Sequence, residues 1–368
     1  MAKRRGNVLA LVLAGGEGGR LGPLTEDRAK PAMPFAGVYK LIDFPLSNCH
    51  HSRISDVWVI QQYEPHSLSE HLSNGRPWDL DRTFGGLRVV HPATGDEEEA
   101  GLYQGNADAI YRSSQAITEF DPEVILVVSA DAVYKLDYRD VVEAHEDRGA
   151  DVTMVTTRVP REQADRFGVV KMEDGRVTAF DYKPDKPKSG IVTTEVFVYD
   201  ARVLIDTLAE LAEGDGELED FGHELLPRLV ERGRAYAYEL EGYWKDVGTI
   251  ESYWQAHMDL LGPRPKLNLD EPAWPILTTA TQRPPARIES GAEIEDSLIS
   301  PGCAVRGRVV RSVLGPGVVV QKGAEVIDSV VLEGARIGGR VERAIVDSGR
   351  DLRKNVSGED EIAVVGTA

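Results

Sequence analysis

The feature that most restricts the fold is a short unit that recurs near the C-terminus. Ser297-Leu-Ile-Ser-Pro-Gly-Cys-Ala-Val305, Ser312-Val-Leu-Gly-Pro-Gly-Val-Val-Val320 and Ser329-Val-Val-Leu-Glu-Gly-Ala-Arg-Ile337 share a small polar residue, two apolar residues, a glycine at one offset (Gly302, Gly317, Gly334) and a closing apolar residue. A weaker copy runs from Ala344 through Gly349 to Leu352. So short a unit cannot bury an apolar face alone. Stacked coil on coil, its apolar residues fill a narrow core and each glycine turns a corner that needs positive φ. The repeat predicts a parallel β-helix of about four coils. No histidine lies among them for acyl transfer, so the module is expected to support structure or subunit contact rather than to catalyse.

Upstream, short β-rich apolar runs alternate with amphipathic stretches. Val8 to Ala14 precedes a glycine loop, Val57 to Gln61 a polar stretch through His71, and Val124 to Ser129 a helix-like segment from Arg139 to Arg148; Val152 to Arg158 follows. This alternation predicts βαβ units, an α/β fold with a mainly parallel sheet, and ligands in loops beyond the carboxyl ends of the strands. Pro263, Pro265, Pro272, Pro275, Pro284 and Pro285 then predict an extended connection. At 368 residues the chain suits one large unit and one smaller one. The expected division is residues 1–262, a linker over 263–286 and the β-helix over 287–368.

The net charge of -19 repels nucleic acid and anionic membranes at long range, so neither is an expected partner, although a local basic pocket can still hold a phosphate. The basic start and the apolar run behind it look like a leader only superficially. The run is too short to span a bilayer and stops at Gly15-Gly16, as a strand meeting a loop does. The two cysteines, Cys49 and Cys303, lie far apart without metal-like spacing, which fits a reduced cytoplasm.

Candidate chemistry concentrates in Leu13-Ala-Gly-Gly-Glu-Gly-Gly-Arg-Leu-Gly-Pro-Leu-Thr25 and in Arg28-Ala-Lys30-Pro31. Gly15, Gly16, Gly18 and Gly19, placed after a strand, let backbone N–H groups approach a phosphate chain, and Arg20 and Lys30 add positive charge. Neither the dinucleotide fingerprint nor the P-loop spacing is met. A different nucleotide loop is predicted.

These segments, with Pro34-Phe35 and Leu41-Ile-Asp-Phe-Pro-Leu-Ser-Asn-Cys49 behind them, resemble the ADP-glucose pyrophosphorylase (glucose-1-phosphate adenylyltransferase) family. The likeness covers nearly the whole chain. It recurs in Gly105-Asn-Ala-Asp-Ala-Ile-Tyr111, Asp131-Ala-Val-Tyr-Lys-Leu-Asp-Tyr138, Phe167-Gly-Val169, Tyr243-Trp-Lys-Asp-Val-Gly-Thr249 and the C-terminal repeat. It implies a Rossmann-like (GT-A-like) nucleotidyltransferase domain with a mainly parallel mixed sheet, then a short left-handed parallel β-helix, in a cytoplasmic homo-oligomer that is a tetramer by analogy. The implied reaction joins ATP to glucose 1-phosphate, giving ADP-glucose and pyrophosphate for glycogen or another α-glucan, with Mg²⁺ as cofactor. By the same likeness Asp131 and Asp246 match the metal-binding aspartates, and Arg20 and Lys30 stand against the departing pyrophosphate. Gly15, Gly16, Gly18, Gly105 and Asp108 match the nucleotide site, with Gln62 and Gln104. Lys183 matches the lysine that holds the sugar phosphate, near Gly168. Two carboxylates suit a hard ion that completes its shell with waters and phosphate oxygens.

Departures from the family cluster around the sugar. Tyr182-Lys183-Pro184 stands where Glu-Lys-Pro is usual, and a phenol cannot replace a carboxylate's two acceptors. Thr193-Thr-Glu-Val-Phe197 replaces Ser-Met-Gly-Ile-Tyr, so Glu195 stands for a glycine; it either restores the carboxylate from another direction or selects an amino sugar. Ala130-Asp131-Ala132 and Phe221-Gly222-His223 replace Gly-Asp-His and Phe-Gly-Lys. Val38 replaces a lysine tied to effector response, Lys40 keeps one charge, and the chain ends earlier than typical members, so an altered or absent allosteric site is expected. A silent nucleotide-sugar-binding regulatory paralogue would have lost Arg20, Lys30, Asp131 or Asp246, and all four are present. An enzyme that also acetylates its sugar would carry further coils with a histidine. A different nucleotide or sugar, such as glucosamine 1-phosphate, stays open.

Overall fold

A strand without polar residues must be covered on both faces, and Val8–Ala14 (β1) is such a strand. Leu9, Leu11 and Leu13 enter one core with Ile110, Ile117, Leu204 and Leu208, whereas Ala10, Val12 and Ala14 enter another with Leu46, Leu68 and Val141. The computed structural model describes residues 7–15, 18–62, 65–92, 103, 105–213, 220–279 and 282–366. After β1 come Asp56–Gln61 (β2), Gly86–Val90 (β3), Val124–Ser129 (β4), Ala132–Tyr134 (β5), Val152–Arg158 (β6), Gly168–Glu173 (β7), Arg176–Tyr182 (β8), Ile191–Asp200 (β9), Ala235–Glu239 (β10) and Trp244–Asp246 (β11). Nine of these form one sheet in the order β3-β2-β1-β4-β9-β6-β10-β8-β7, and β5 pairs with β11 beside it. Only β9 and β8 run against the other seven strands. The sheet is therefore mixed and mainly parallel.

Helices cover both faces. Among them, Asn106–Arg112 (α1) and Ala201–Ala212 (α3) lie over one core, and Tyr138–Arg148 (α2) over the other. Asp137 caps α2 by accepting from Arg139 N at 3.0 Å, and Asp200 caps α3 by accepting from Val203 N at 3.0 Å. Ile250–Met258 (α4) begins with a capping box between Thr249 and Ser252. The proline-rich connection is pinned down rather than loose. Trp78 Nε1 donates to Leu277 O at 3.1 Å, Leu277 N to Ser47 Oγ at 2.9 Å and Thr279 Oγ1 to His71 O at 2.8 Å. Among the described residues no helix is long and apolar enough to cross a membrane.

The repeat forms three five-stranded parallel sheets, the three faces of a β-helix like that expected of left-handed hexapeptide repeats. Five coils are present where the repeat predicts about four. The four units begin at Leu298–Ile299, and the fifth coil is made up by the flanking strands, Arg287–Ile288 and Glu293–Glu295 before them and Val356–Ser357 and Ala363–Val365 after them; Glu293 and Glu295 hide the apolar rhythm at the leading end. Gly302, Gly317, Gly334 and Gly349 take φ of 79°, 72°, 71° and 71°, the corner conformation that the spacing predicts. The repeated serine has its own role. Ser297, Ser312 and Ser329 each accept at Oγ from the backbone N–H of Ser312, Ser329 and Ala344 on the next coil, at 3.1 Å every time. Each hydroxyl donates to a carbonyl two residues back in its own coil.

Ser312 is fully buried within this ladder. Ser312→Ala leaves the buried Ser329 N–H unpaired, while Val310 O keeps the bond from Asp328 N at 3.0 Å, so the expected cost is roughly 1–3 kcal/mol. A lowered urea midpoint, with a smaller shift for the partly exposed Ser297→Ala, is the expected result.

Candidate active site

β1 and β4 run parallel and adjacent, with Leu13 opposite Ser129, so the loops leaving their carboxyl ends open onto the same spot. After β1 the chain passes Gly15 and Gly18, turns through Gly19–Thr25 and returns as Lys30. Thr25 Oγ1 cinches this loop, within reach of Gly18 O at 3.0 Å and Gly22 O at 3.2 Å. Gly18 has φ of 72°, and a Cβ there would meet Thr25 Cγ2 at 3.0 Å and Lys30 Cβ at 3.3 Å. After β4 the chain presents Asp131 and enters β5. The β5–β11 pairing sets Ala132 opposite Asp246, and Val247 N donates to Asp131 O at 3.3 Å. That pairing brings together two aspartates far apart in sequence.

Lys30 Nζ lies 2.7 Å from Asp131 Oδ2, and Ser129 Oγ donates to Asp131 Oδ1 at 2.6 Å. Burial acts to raise the Asp131 carboxyl, but the Lys30 charge and bond, the Ser129 bond and Arg20 outweigh it and hold it below its ordinary value. Asp246 is pushed up by burial and by the Asp131 charge, against Lys30, Arg20 and Arg166. Burial works against the Lys30 ammonium, yet Asp131 and Asp246 keep its pKa raised. Arg20 reaches the same place: a Cβ on Gly248 would stand 3.2 Å from Arg20 Nη2 and 3.1 Å from Asp246 Oδ2. Among the described residues no group of three or more His, Cys, Asp and Glu side chains forms a metal cage. Two hard carboxylates nevertheless fit Mg²⁺, which uses one or two of them.

Beside these groups is a cavity lined by Ser129, Gly168, Tyr182, Thr193, Glu195 and Asp220. The register of β9 slips between Thr193 and Phe197, and within that bulge Glu195 has φ of 58°. For a residue with a Cβ this left-handed conformation costs about 1–2 kcal/mol. The Glu195 side chain has no hydrogen-bond partner among the described residues. Burial, followed by the charges of Asp131, Asp220 and Asp246, has its carboxyl pushed up to about 8. Lys183 also has positive φ, 43°, and its N–H donates to Phe167 O at 3.0 Å.

Tyr182 is not a free phenol. Its hydroxyl donates to Asp220 Oδ2 at 2.5 Å and accepts from Lys183 Nζ at 2.6 Å, and its ring meets His223 edge-on with centroids 4.8 Å apart. Gly222 is required by that ring, since a Cβ would lie 2.1 Å from Tyr182 Cδ2. Gly168 lines the cavity too, but a Cβ there would meet the Phe180 ring at 2.6 Å and Thr193 Oγ1 at 2.8 Å, so packing alone already demands glycine.

On the nucleotide side, Gln62 Nε2 donates to Tyr103 O at 2.9 Å and its side chain packs by Gly15. Gly105 is extended, with φ of -177°, and Asp108 in α1 accepts from Arg112 Nε at 2.9 Å. Gly16 and Gln104 lie outside the described residues. Sequence reasoning missed Ser129, Arg166 and Asp220. Ser129, two residues before Asp131 at a strand end, was the findable one.

Residues 9–262 match the nucleotidyl transferase family, and residues 284–362 match the GlmU-like C-terminal hexapeptide family. Over 318 residues the chain is 42% identical to the glucose-1-phosphate adenylyltransferase of Thermotoga maritima, an alignment that covers 86% of this chain and 75% of that one. The enzymes of the same name from Clostridium acetobutylicum and Halalkalibacterium halodurans are each 42% identical, over 315 and 313 residues. These cover 85% and 84% of this chain and 83% and 82% of theirs.

Burial, then the charge and bond of Asp220, raise the pKa of the Tyr182 phenol. Asp220→Asn removes that charge, so the phenol should titrate at lower pH than in the wild type. NMR of ring-labelled tyrosine across an alkaline series checks this, with Tyr182→Phe identifying the resonance.

Proposed function

The chain belongs to the glucose-1-phosphate adenylyltransferase family of nucleotidyl transferases, and on that premise we propose that it joins ATP to glucose 1-phosphate, releasing pyrophosphate and forming ADP-glucose. The observation that carries this reading is the convergence of the glycine loop, Lys30, Asp131 and Asp246 at the carboxyl ends of β1 and β4. An oxygen of the sugar phosphate bonds to the α-phosphorus while the bond to the bridging oxygen of the β-phosphate breaks. Such a transfer needs little proton movement and much placement and neutralisation of charge.

In this reading Gly15 and Gly18 let the loop backbone close on the phosphates, and Arg20 and Lys30 offset the charge that grows on departing pyrophosphate. Gly105, Gln62 and Asp108 flank the nucleotide; the Asp108–Arg112 pair fixes that carboxylate rather than leaving it free. Asp131 and Asp246 would hold Mg²⁺, which would supply charge neutralisation at the phosphates. Lys30 and Ser129 keep Asp131 ionised for that task. Lys183 holds the sugar phosphate. Residues 1–262 carry the chemistry, 263–286 join the parts and 287–368 support the loop.

The sugar hydroxyls then meet Glu195, Thr193 and the Tyr182–Asp220 pair. With its carboxyl pushed up to about 8, Glu195 is mostly protonated at neutral pH and presents a donor as well as an acceptor to the cavity, and Asp220 orients the Tyr182 hydroxyl. These groups stand in for the carboxylate that Tyr182 displaces from its usual place.

Pyrophosphate release with ATP, UTP, dTTP and GTP, each crossed with glucose, glucosamine, mannose and galactose 1-phosphates, tests the proposal. The highest kcat/KM belongs to ATP with glucose 1-phosphate; a higher value for another pair overturns the substrate assignment. Asp131→Asn should lower kcat by roughly 100-fold or more. Glu195→Ala, which removes the side chain's hydrogen bonds to the sugar, should raise the KM for the sugar phosphate about tenfold and alter kcat far less, whereas Glu195→Gln, close in shape to the neutral carboxyl, should do less.

A further inference from the structure

The loop that carries Arg20 and Lys30 has no strand or long helix of its own to hold it. Gly18 and Gly22 both take left-handed φ, 72° and 53°, and the loop's internal bonds are few. What fixes it from outside is the far end of the chain. Arg28 Nη2 lies 2.9 Å from Asp347 Oδ1, a pair separated by 319 residues, with side-chain exposures of 17% and 2%. Asp347 is itself set by the coil around it: its Oδ1 accepts from Ser348 N at 2.7 Å, and its own N–H donates to Val365 O at 2.9 Å. A second clamp is steric. Gly366 sits so close to the loop that a Cβ would stand 2.3 Å from Pro23 Cβ. A third is apolar, since Leu21 and Leu24 are fully buried in one core with Val330, Leu332, Ile345 and Ile362 of the β-helix.

We propose that the closing coils of the β-helix are a positioning element for the phosphate loop, with Arg28 and Asp347 as its principal pair. The proposal rests on the roles given above to Arg20 and Lys30. One residue, Ala29, separates Arg28 from Lys30, and its N–H donates to Ser67 Oγ at 3.2 Å. Lys30 is therefore strung between a point fixed by the β-helix and its own bond to Asp131. Displacing a phosphate-binding cation by about 1 Å can cost on the order of 100-fold in rate, and a buried ion pair that loses one partner leaves its mate without compensation. The β-helix thus acts on catalysis through the loop, without touching substrate.

Asp347→Asn in the full-length chain tests this, because asparagine keeps the shape and an acceptor for Ser348 N. The expected result is a fall in kcat of about 10- to 100-fold, with the KM for glucose 1-phosphate within about twofold and faster hydrogen exchange over residues 18–30. Arg28→Lys, which keeps the charge, should recover most of the rate. Gly366→Ala, at the surface end of the last coil, should reproduce the kcat loss by pushing on Pro23, and it serves where Asp347→Asn fails to fold. Unchanged kcat and exchange in both variants overturn the proposal. So does a uniform rise in both KM values with a lowered thermal midpoint, which marks a structural role alone. Should the wild type release no pyrophosphate with any pair, the activity reading fails by itself. Hydrogen exchange over 18–30 in the variants then decides the positioning role: acceleration supports it and no change overturns it.

Discussion

Everything at the site depends on keeping a lysine charged where water is scarce. Lys30 is 5% exposed, and an ammonium so placed persists only beside a carboxylate that stays ionised. Asp131 meets that condition, 2.7 Å away, but only because Ser129 and Arg20 help to offset its own burial. Asp131 in turn stands at the end of β4, against β1, and next to Asp246 through the short β5–β11 ladder. Moving any one of these elements would leave a buried charge without its partner. The pair thus converts an electrostatic requirement into a geometric one, and the loop, the central strands and the β5–β11 ladder all answer to it.

The parts of this arrangement that follow from local chemistry were legible in the amino-acid order. Val8–Ala14, Val124–Ser129 and Val152–Arg158 are strands over the ranges that their apolar runs mark. The glycine corners of the repeat take positive φ as their spacing requires. What depends on pairing between distant segments was not legible. The reversal of β9 between β4 and β6 has no local signature, because a strand buried on both faces reads the same in either direction. Asp246 was placed by family likeness, and only the β5–β11 ladder explains its position. Asp220 had no pattern to betray it, since its partner Tyr182 lies 38 residues away. The strands at the leading end of the β-helix carry no repeat signature, because Glu293 and Glu295 face solvent on an end that stacks on one side only.

The sugar side shows how a site absorbs exchanges of residue type. Tyr182 gives up the carboxylate usual at its position, and its bulk is met by Gly222, which leaves room for the ring. Its hydroxyl is aimed by Asp220, so a carboxylate still acts at that wall, at one remove. Glu195 occupies a bulge whose backbone suits glycine better, and the strain is held by the strands on either side. Two adjacent walls of one cavity, at Tyr182 and at Glu195, thus differ in type from the phosphate side, which carries Arg20, Lys30, Asp131 and Asp246. Such a division is physically natural: phosphate neutralisation leaves little freedom, whereas hydroxyl acceptors can be presented from several directions.

The core that Leu21, Leu24, Phe35 and Tyr253 share with Val330, Leu332, Ile345 and Ile362 has a bearing on how a chain of this design can change over generations. Exchange of whole gene segments favours parts that meet across polar, replaceable surfaces. Here a crossover within the proline-rich strap would join a phosphate loop to coils shaped for a different one. Each half would then bring its own set of apolar side chains to a common interior. Lineages of such proteins should therefore inherit loop and coils as a single unit, with compensating changes appearing on both sides of the strap at once.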